Sequence, residues 1–152
     1  MRFCVALCAI LGMVLMSGDT KAQTPIKDFA WSHRPLLIFA PGSDQNGQDP
    51  LIVQLEKIAQ NRDGVLERDM VILTIQPGSV SVIAGDDSAR QSSLTSSQLL
   101  YETYDVRDDA FVVILVGKDG TEKNRWSEPV DMRLIFDQID AMPMRQREMN
   151  TP

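Results

Sequence analysis

Apolar positions in this chain fall into three short blocks and several periodic stretches. Residues 111–116 read Phe-Val-Val-Ile-Leu-Val, residues 36–40 Leu-Leu-Ile-Phe-Ala, and residues 70–75 Met-Val-Ile-Leu-Thr-Ile. Blocks this short, rich in β-branched and aromatic side chains, suit strands buried on both faces and are too brief for helices. After the block at 111–116 comes Gly-Lys-Asp-Gly-Thr and then the polar run Glu-Lys-Asn-Arg-Trp, residues 122–126. Asp119-Gly120 is a hairpin signal, because such turns need positive φ and Gly adopts it at little cost. The strand beyond the turn reads as a wet edge, blunted by Lys123 and Arg125.

Between these blocks the period changes to helical. Asp49 followed by Pro50 is a helix start, with Leu51, Leu55, Ile58 and Ala59 on the inner face. Gly64 marks its end, with one further turn through Glu67. Residues 76–93 are polar and rich in Ser, Gly and Asp, long enough to be a mobile or functional loop; Val80, Val82 and Ile83 within it suit a short strand or a flap. Thr95-Ser96-Ser97-Gln98 matches a capping box and opens a helix carrying Leu99, Leu100 and Tyr104. Pro129 and Asp131 open a last helix with Met132, Ile135, Phe136 and Ile139 on one face. Pro143 stops or kinks it, because the residue before a proline is pushed out of the helical region, and residues 144–152 form a charged tail.

The order is strand, helix, strand, helix, hairpin, helix. A helical crossover between two apolar strands implies parallel pairing. The expected fold is therefore α/β and thioredoxin-like: a βαβ unit plus a C-terminal β-hairpin and helix, forming a mixed sheet flanked by helices. A flavodoxin-like sheet would need more βα units and no late hairpin.

The N-terminus departs from this pattern. Arg2 precedes an uncharged apolar run over residues 3–16, and Thr20-Lys21-Ala22 places small residues where a signal peptidase reads. We expect residues 1–22 to be a secretory signal peptide and residues 23–152 a single domain, periplasmic or secreted. An uncut N-terminal anchor is the alternative, although the apolar run is short for a membrane span. A lipidated Cys8 is disfavoured by Leu7, where a small residue is required.

Cleavage has a chemical consequence. Both cysteines, Cys4 and Cys8, lie in the leader, so the mature chain holds no thiol. It forms no disulfide and must draw its stability from its core. Loss of Arg2, Lys21 and Asp19 leaves 13 basic against 20 acidic residues. An acidic chain without a basic run argues against nucleic acid as a partner, and no stable membrane span remains after cleavage.

Three stretches carry a resemblance. They are Trp-Ser-His-Arg-Pro-Leu-Leu-Ile-Phe-Ala-Pro at 31–41, Leu-Val-Gly-Lys-Asp-Gly at 115–120 and Ile-Asp-Ala-Met-Pro-Met-Arg at 139–145. The chain resembles a family of exported bacterial proteins classed only as a domain of unknown function. That family is similar to a domain of animal extracellular-matrix proteins, including the sushi-repeat-containing proteins and equarin. The resemblance implies a thioredoxin-like fold with a suggested link to peroxiredoxins, and it supplies no catalytic residues.

Thioredoxin-type chemistry needs a Cys pair in the loop after the first strand, at a helix N-terminus that lowers the thiol pKa. Here that loop, residues 41–49, has no cysteine, and Asp109 or Ala110 stands where a thioredoxin has its cis-proline. We assign no catalytic residue, no cofactor and no metal. A redox enzyme would need a bound cofactor, and no Gly-rich phosphate loop or haem motif is present.

The polar side chains of that loop, Ser43, Asp44 and Asn46, with Asp108 and Asp109 from the other side, define a candidate cleft for a small ligand or an extended peptide. A capped helix and a solvated loop are the plainer account. Asp44, Asp49, Asp108 and Asp109 would suit calcium only weakly, since their spacing matches no known loop. Lys118, Lys123 and Arg125 on the outer strand are candidates for edge-strand recognition, against a purely protective role.

Four minor expectations complete the reading. His33, the only histidine, is an exposed loop residue; Phe29 and Trp31 pack on the domain edge. Asp140, Arg145 and Arg147 pair with one another or with Asp105, each surface pair contributing about 0–1 kcal/mol. Met132, Met142, Met144 and Met149 fill the core. The sequence thus favours a binding or adaptor module for an unknown periplasmic protein or small ligand. A peroxiredoxin-like oxidoreductase or an envelope stress or structural protein is the alternative.

Overall fold

The computed structural model describes residues 26–42, 49–86 and 96–151. A single turn of 3-10 helix, Lys27–Phe29, leads into β1 (Arg34–Phe39). Then follow α1 (Pro50–Ala59), α2 (Arg62–Glu67), β2 (Met70–Gln76) and β3 (Ser79–Ala84). The chain continues through α3 (Ser97–Thr103), β4 (Val112–Val116), β5 (Glu122–Trp126), α4 (Met132–Asp140) and α5 (Pro143–Met149). The strands form one mixed sheet in the order β3-β2-β1-β4-β5.

β1 and β2 are parallel, with Arg34 opposite Met70 and Phe39 opposite Ile75. β4 runs antiparallel to β1, with Phe39 opposite Val112 and Leu36 opposite Leu115. The three apolar blocks are thus the three inner strands, and alternate residues of each serve different cores. Leu37, Phe39, Val71, Leu73, Ile75, Ile114 and Val116 face α3 and the N-terminal turn, packing on Phe29, Leu100, Tyr101 and Tyr104. Leu36, Ile38, Met70, Ile72, Val113 and Leu115 face α1, α2 and α4, packing on Ile58, Val65, Met132, Ile135 and Ile139. Helices cover both faces, which is why these strands are apolar throughout instead of alternating.

Most of the local signals match the structure. The Asp49 side chain accepts from Leu51 N with Pro50 in the first turn, and Asp131 accepts from Arg133 N. Gly120 adopts φ 77° in the β4–β5 turn. Residues 79–84 pair with β2 as an edge strand, and residues 87–93 of the expected loop lie outside the described residues.

Several expectations are corrected. The α3 cap is Ser96, accepting from Leu99 N, one residue later than the capping box places it; Gln98 instead donates to Glu102. Ala59 is exposed, and the buried polar position of α1 is Gln54, whose Oε1 accepts from Val130 N at 2.7 Å. Gly64 does not end a helix. It lies inside α2, where a Cβ would come within 2.6 Å of the Phe136 ring. Trp31 is exposed at φ 66° instead of packing on the domain edge. The expected charged tail is the helix α5, with Met142 extended before Pro143. Met149 is exposed.

Candidate functional site

β1 and β2 start at one pole of the sheet and end at the other. The end pole is where a thioredoxin keeps its cysteines, and where we expect a ligand cleft. Ser43, Asp44 and Asn46 lie outside the described residues. Asp108 and Asp109 stand at this pole, just before β4, and both are exposed. Asp109 is bonded by the Arg107 side chain, which holds its carboxyl below the ordinary carboxylate range. Asp49 is engaged as the α1 cap. Among the described residues, no group of three or more His, Cys, Asp or Glu could hold a metal ion.

The opposite pole carries most of the buried charge. Arg34, at the first position of β1, is 1% exposed. Its Nη1 donates to Arg68 O at 2.9 Å, and its Nη2 donates to both carboxylate oxygens of Glu148 at 3.0 Å. Lys118, beyond β4, donates to the same Glu148 and to Asp69, each at 2.8 Å. Arg68 forks onto Asp140 with bonds of 3.0 and 2.6 Å, and Arg145 bonds both Asp140 and Glu67. Four cations and four carboxylates thus interlock where α2, β1, β4, α4 and α5 meet.

Geometry sets the electrostatics here. Partial burial would raise the pKa of Glu148, but the bonds from Lys118 and Arg34 outweigh it and lower the value. Burial likewise works against Asp140, and Arg68 and Arg145 overcome it. These are charge-assisted bonds, stronger than neutral ones. Arg145 pairs as expected with Asp140, but its main anchor is Glu67, and Asp105 takes no part. Arg147 only donates to Pro143 O.

Beside this network lies a groove of about 460 Å³ between the β4–β5 turn and the α4–α5 junction. Ala141, Met142, Pro143 and Met144 supply apolar wall, and Arg34, Lys118 and Lys123 supply positive charge against the single carboxylate of Asp119. Most of its surface is apolar. The three stretches that carried the family resemblance meet around it: Arg34 from the first, Gly117 to Asp119 from the second, Ala141 to Met144 from the third. That convergence was the signal available in the sequence.

Of the edge-strand candidates, Lys123 and Arg125 lie on β5 and Lys118 does not. The Lys118 ammonium is turned inward to Asp69 and Glu148. Lys123 pairs with Asp119 at 2.6 Å, and Arg125 donates to Glu122 and to Tyr104 O. All three cations therefore have partners within the chain. His33 is not an exposed loop residue. It is buried, with Nε2 3.2 Å from Asp86, Nδ1 2.9 Å from Ser32 Oγ, and the Phe29 ring edge-on. It ties the start of β1 to the chain beyond β3. None of the described helices is long and apolar enough to cross a membrane.

A solved structure, the Plasmodium yoelii thioredoxin peroxidase I, is similar with a TM-score of 0.55 and 15% identity. The match covers 84% of this chain and 82% of that one. The likeness shows the fold: a thioredoxin-like sheet. No curated protein matches the sequence. A family profile described as a domain of unknown function, DUF4174, matches residues 25–148, a span that includes neither Cys4 nor Cys8. The chain belongs to the DUF4174 family, whose domain here takes the thioredoxin-like fold.

Proposed function

We propose that this protein is an exported, non-enzymatic binding module that uses the thioredoxin-like scaffold without thiol chemistry. Its site is the groove between the β4–β5 turn and the α4–α5 junction, at the pole opposite the usual redox site. The groove itself carries this reading: a mostly apolar concavity of about 460 Å³ rimmed by Arg34, Lys118 and Lys123. Small-molecule sites have this composition, apolar walls with a few placed polar groups. The family-matched span supplies no sulfur nucleophile, so catalysis by thiol exchange or thiol peroxidation has no reacting atom. The N-terminal leader pattern, Arg2 before an uncharged apolar run, supports a role outside the cytoplasm.

Native mass spectrometry of the protein purified from its own envelope tests the reading. The expected result is a bound small molecule on the wild type that is missing from Ala141→Trp, in which an indole fills the groove from an exposed position. Equal adducts on both proteins, or none on either, would reject the groove as the site. Insulin reduction or peroxide consumption by the form starting at Gln23 would overturn the non-enzymatic reading in favour of an oxidoreductase.

A further inference from the structure

α5 is an unusual element to find against a sheet. Its single buried residue is Arg145, while Met149 is exposed and Met144 only half-buried. Charge holds it in place. Arg145 reaches Glu67 and Asp140, and Glu148 reaches Arg34 and Lys118. On the receiving side, Arg34 has a side chain 1% exposed and Lys118 one 10% exposed; both bond Glu148, with Asp69 on the other side at 3.8 Å from Arg34 and 2.8 Å from Lys118. Both bonds from Arg34 Nη2 go to Glu148, an acceptor 114 residues away. The pair therefore forms a preorganised carboxylate socket, built on β1 and the end of β4 and filled from a helix that has little other hold.

Socket and groove are continuous, since Arg34 and Lys118 line both, and one wall of the groove is Pro143 and Met144 of α5 itself. We propose that Arg34 and Lys118 form an anion site in which Glu148 is an internal stand-in for a ligand carboxylate. The ligand is an amphipathic monocarboxylate, with its charged head on Arg34 and Lys118 and its apolar chain along Ala141 and Met142. Its binding displaces Glu148 and loosens α5. This inference rests on the groove being the binding site and adds the ligand class and the internal competitor.

The physical consequence is competition. A tethered carboxylate presents an effective concentration in the millimolar range or above, so removing it raises the apparent affinity for a free one by about tenfold or more. The test is calorimetric titration of decanoate, and of decanol as the uncharged control, into wild type, Glu148→Gln and the double variant Lys118→Gln/Glu148→Gln. Thermal melts first establish that each variant folds.

The expected result is decanoate binding about tenfold tighter to Glu148→Gln than to wild type, with the gain lost in the double variant. Decanol binds far more weakly to all three, and amide exchange in α5 speeds up when decanoate is added to wild type. Equal decanoate affinity in wild type and Glu148→Gln would overturn the socket. So would decanol binding as well as decanoate, although the groove would then stand as an apolar site. Failure of both probes with all three proteins would overturn the socket and count against the groove together.

Discussion

Arg34 shows how much one residue can organise. A guanidinium that is 1% exposed is tolerable only because its donors are matched, here by Arg68 O and by both oxygens of Glu148. Removing this partner charge leaves the cation only the longer pair to Asp69 at 3.8 Å, so Glu148→Gln should cost about 1.5–3 kcal/mol in urea unfolding at neutral pH. The pH dependence follows from the lowered pKa of Glu148. The unfolded state takes up its proton first as pH falls, so the stabilisation is full above the ordinary value of 4.5 and fades below it. The wild type and the variant should therefore converge in stability as the solution is made more acidic. A gap that stays constant down to the acid transition would contradict the pairing.

Tyr104 makes a second residue-scale case. It packs near Phe39 at the α3 C-terminus, and burial, with a smaller contribution from Glu122, pushes its phenol up from 10.0 to about 12. Here the folded state prefers the neutral form. The stabilisation is complete below pH 10 and is lost as pH rises toward 12. Ultraviolet titration should show one tyrosine ionising near pH 12, and Tyr104→Phe should remove that step.

At the scale of elements, the packing of α2 on α4 is tight enough to predict from. Gly64 lies inside α2 against the Phe136 ring, and Arg68 stacks over that ring at 4.5 Å. In an exposed helix, Gly→Ala stabilises by about 1 kcal/mol. Here the added methyl would sit 2.6 Å from a ring carbon. Overpacking of this kind costs about 1–3 kcal/mol, so Gly64→Ala should lower stability where propensity alone would raise it. Gly64→Ala in a Phe136→Ala background should show the propensity gain. α1 holds the opposite lesson. Gln54 interrupts its apolar face, yet is fully buried because it satisfies the Val130 amide. Periodicity reports which side of a helix is apolar, but not which polar side chain has a partner across the core.

For the whole molecule, burial orders the motions. Every residue of β1 is buried, as are the first six residues of β2 and the last four of β4, whereas α5 has one. Opening an element costs more where it exposes more apolar surface, so amide exchange should be slowest in β1, β2 and β4. α5 should exchange fastest of the helices, and faster still in Glu148→Gln. Exchange in α5 as slow as in β4 would mean that something other than charge holds it.

The sequence alone determined the architecture, because that depends on local and periodic signals. Three apolar blocks specified strands covered on both faces, Asp49-Pro50 and Asp131 specified helix starts, and Gly120 specified the hairpin turn. It also determined that the matched domain is free of cysteine, since that is a matter of composition. What needed the tertiary structure was every property that depends on residues distant in the chain. His33 reads as an exposed loop residue until the chain after β3 brings Asp86 to it. The segment 144–152 reads as a solvated tail until Arg34, 114 positions before Glu148, supplies its anchor. A charged residue with no local partner looks like surface, and only the packing of β1, β4 and α5 at one pole decides that it is buried, paired and set beside a groove.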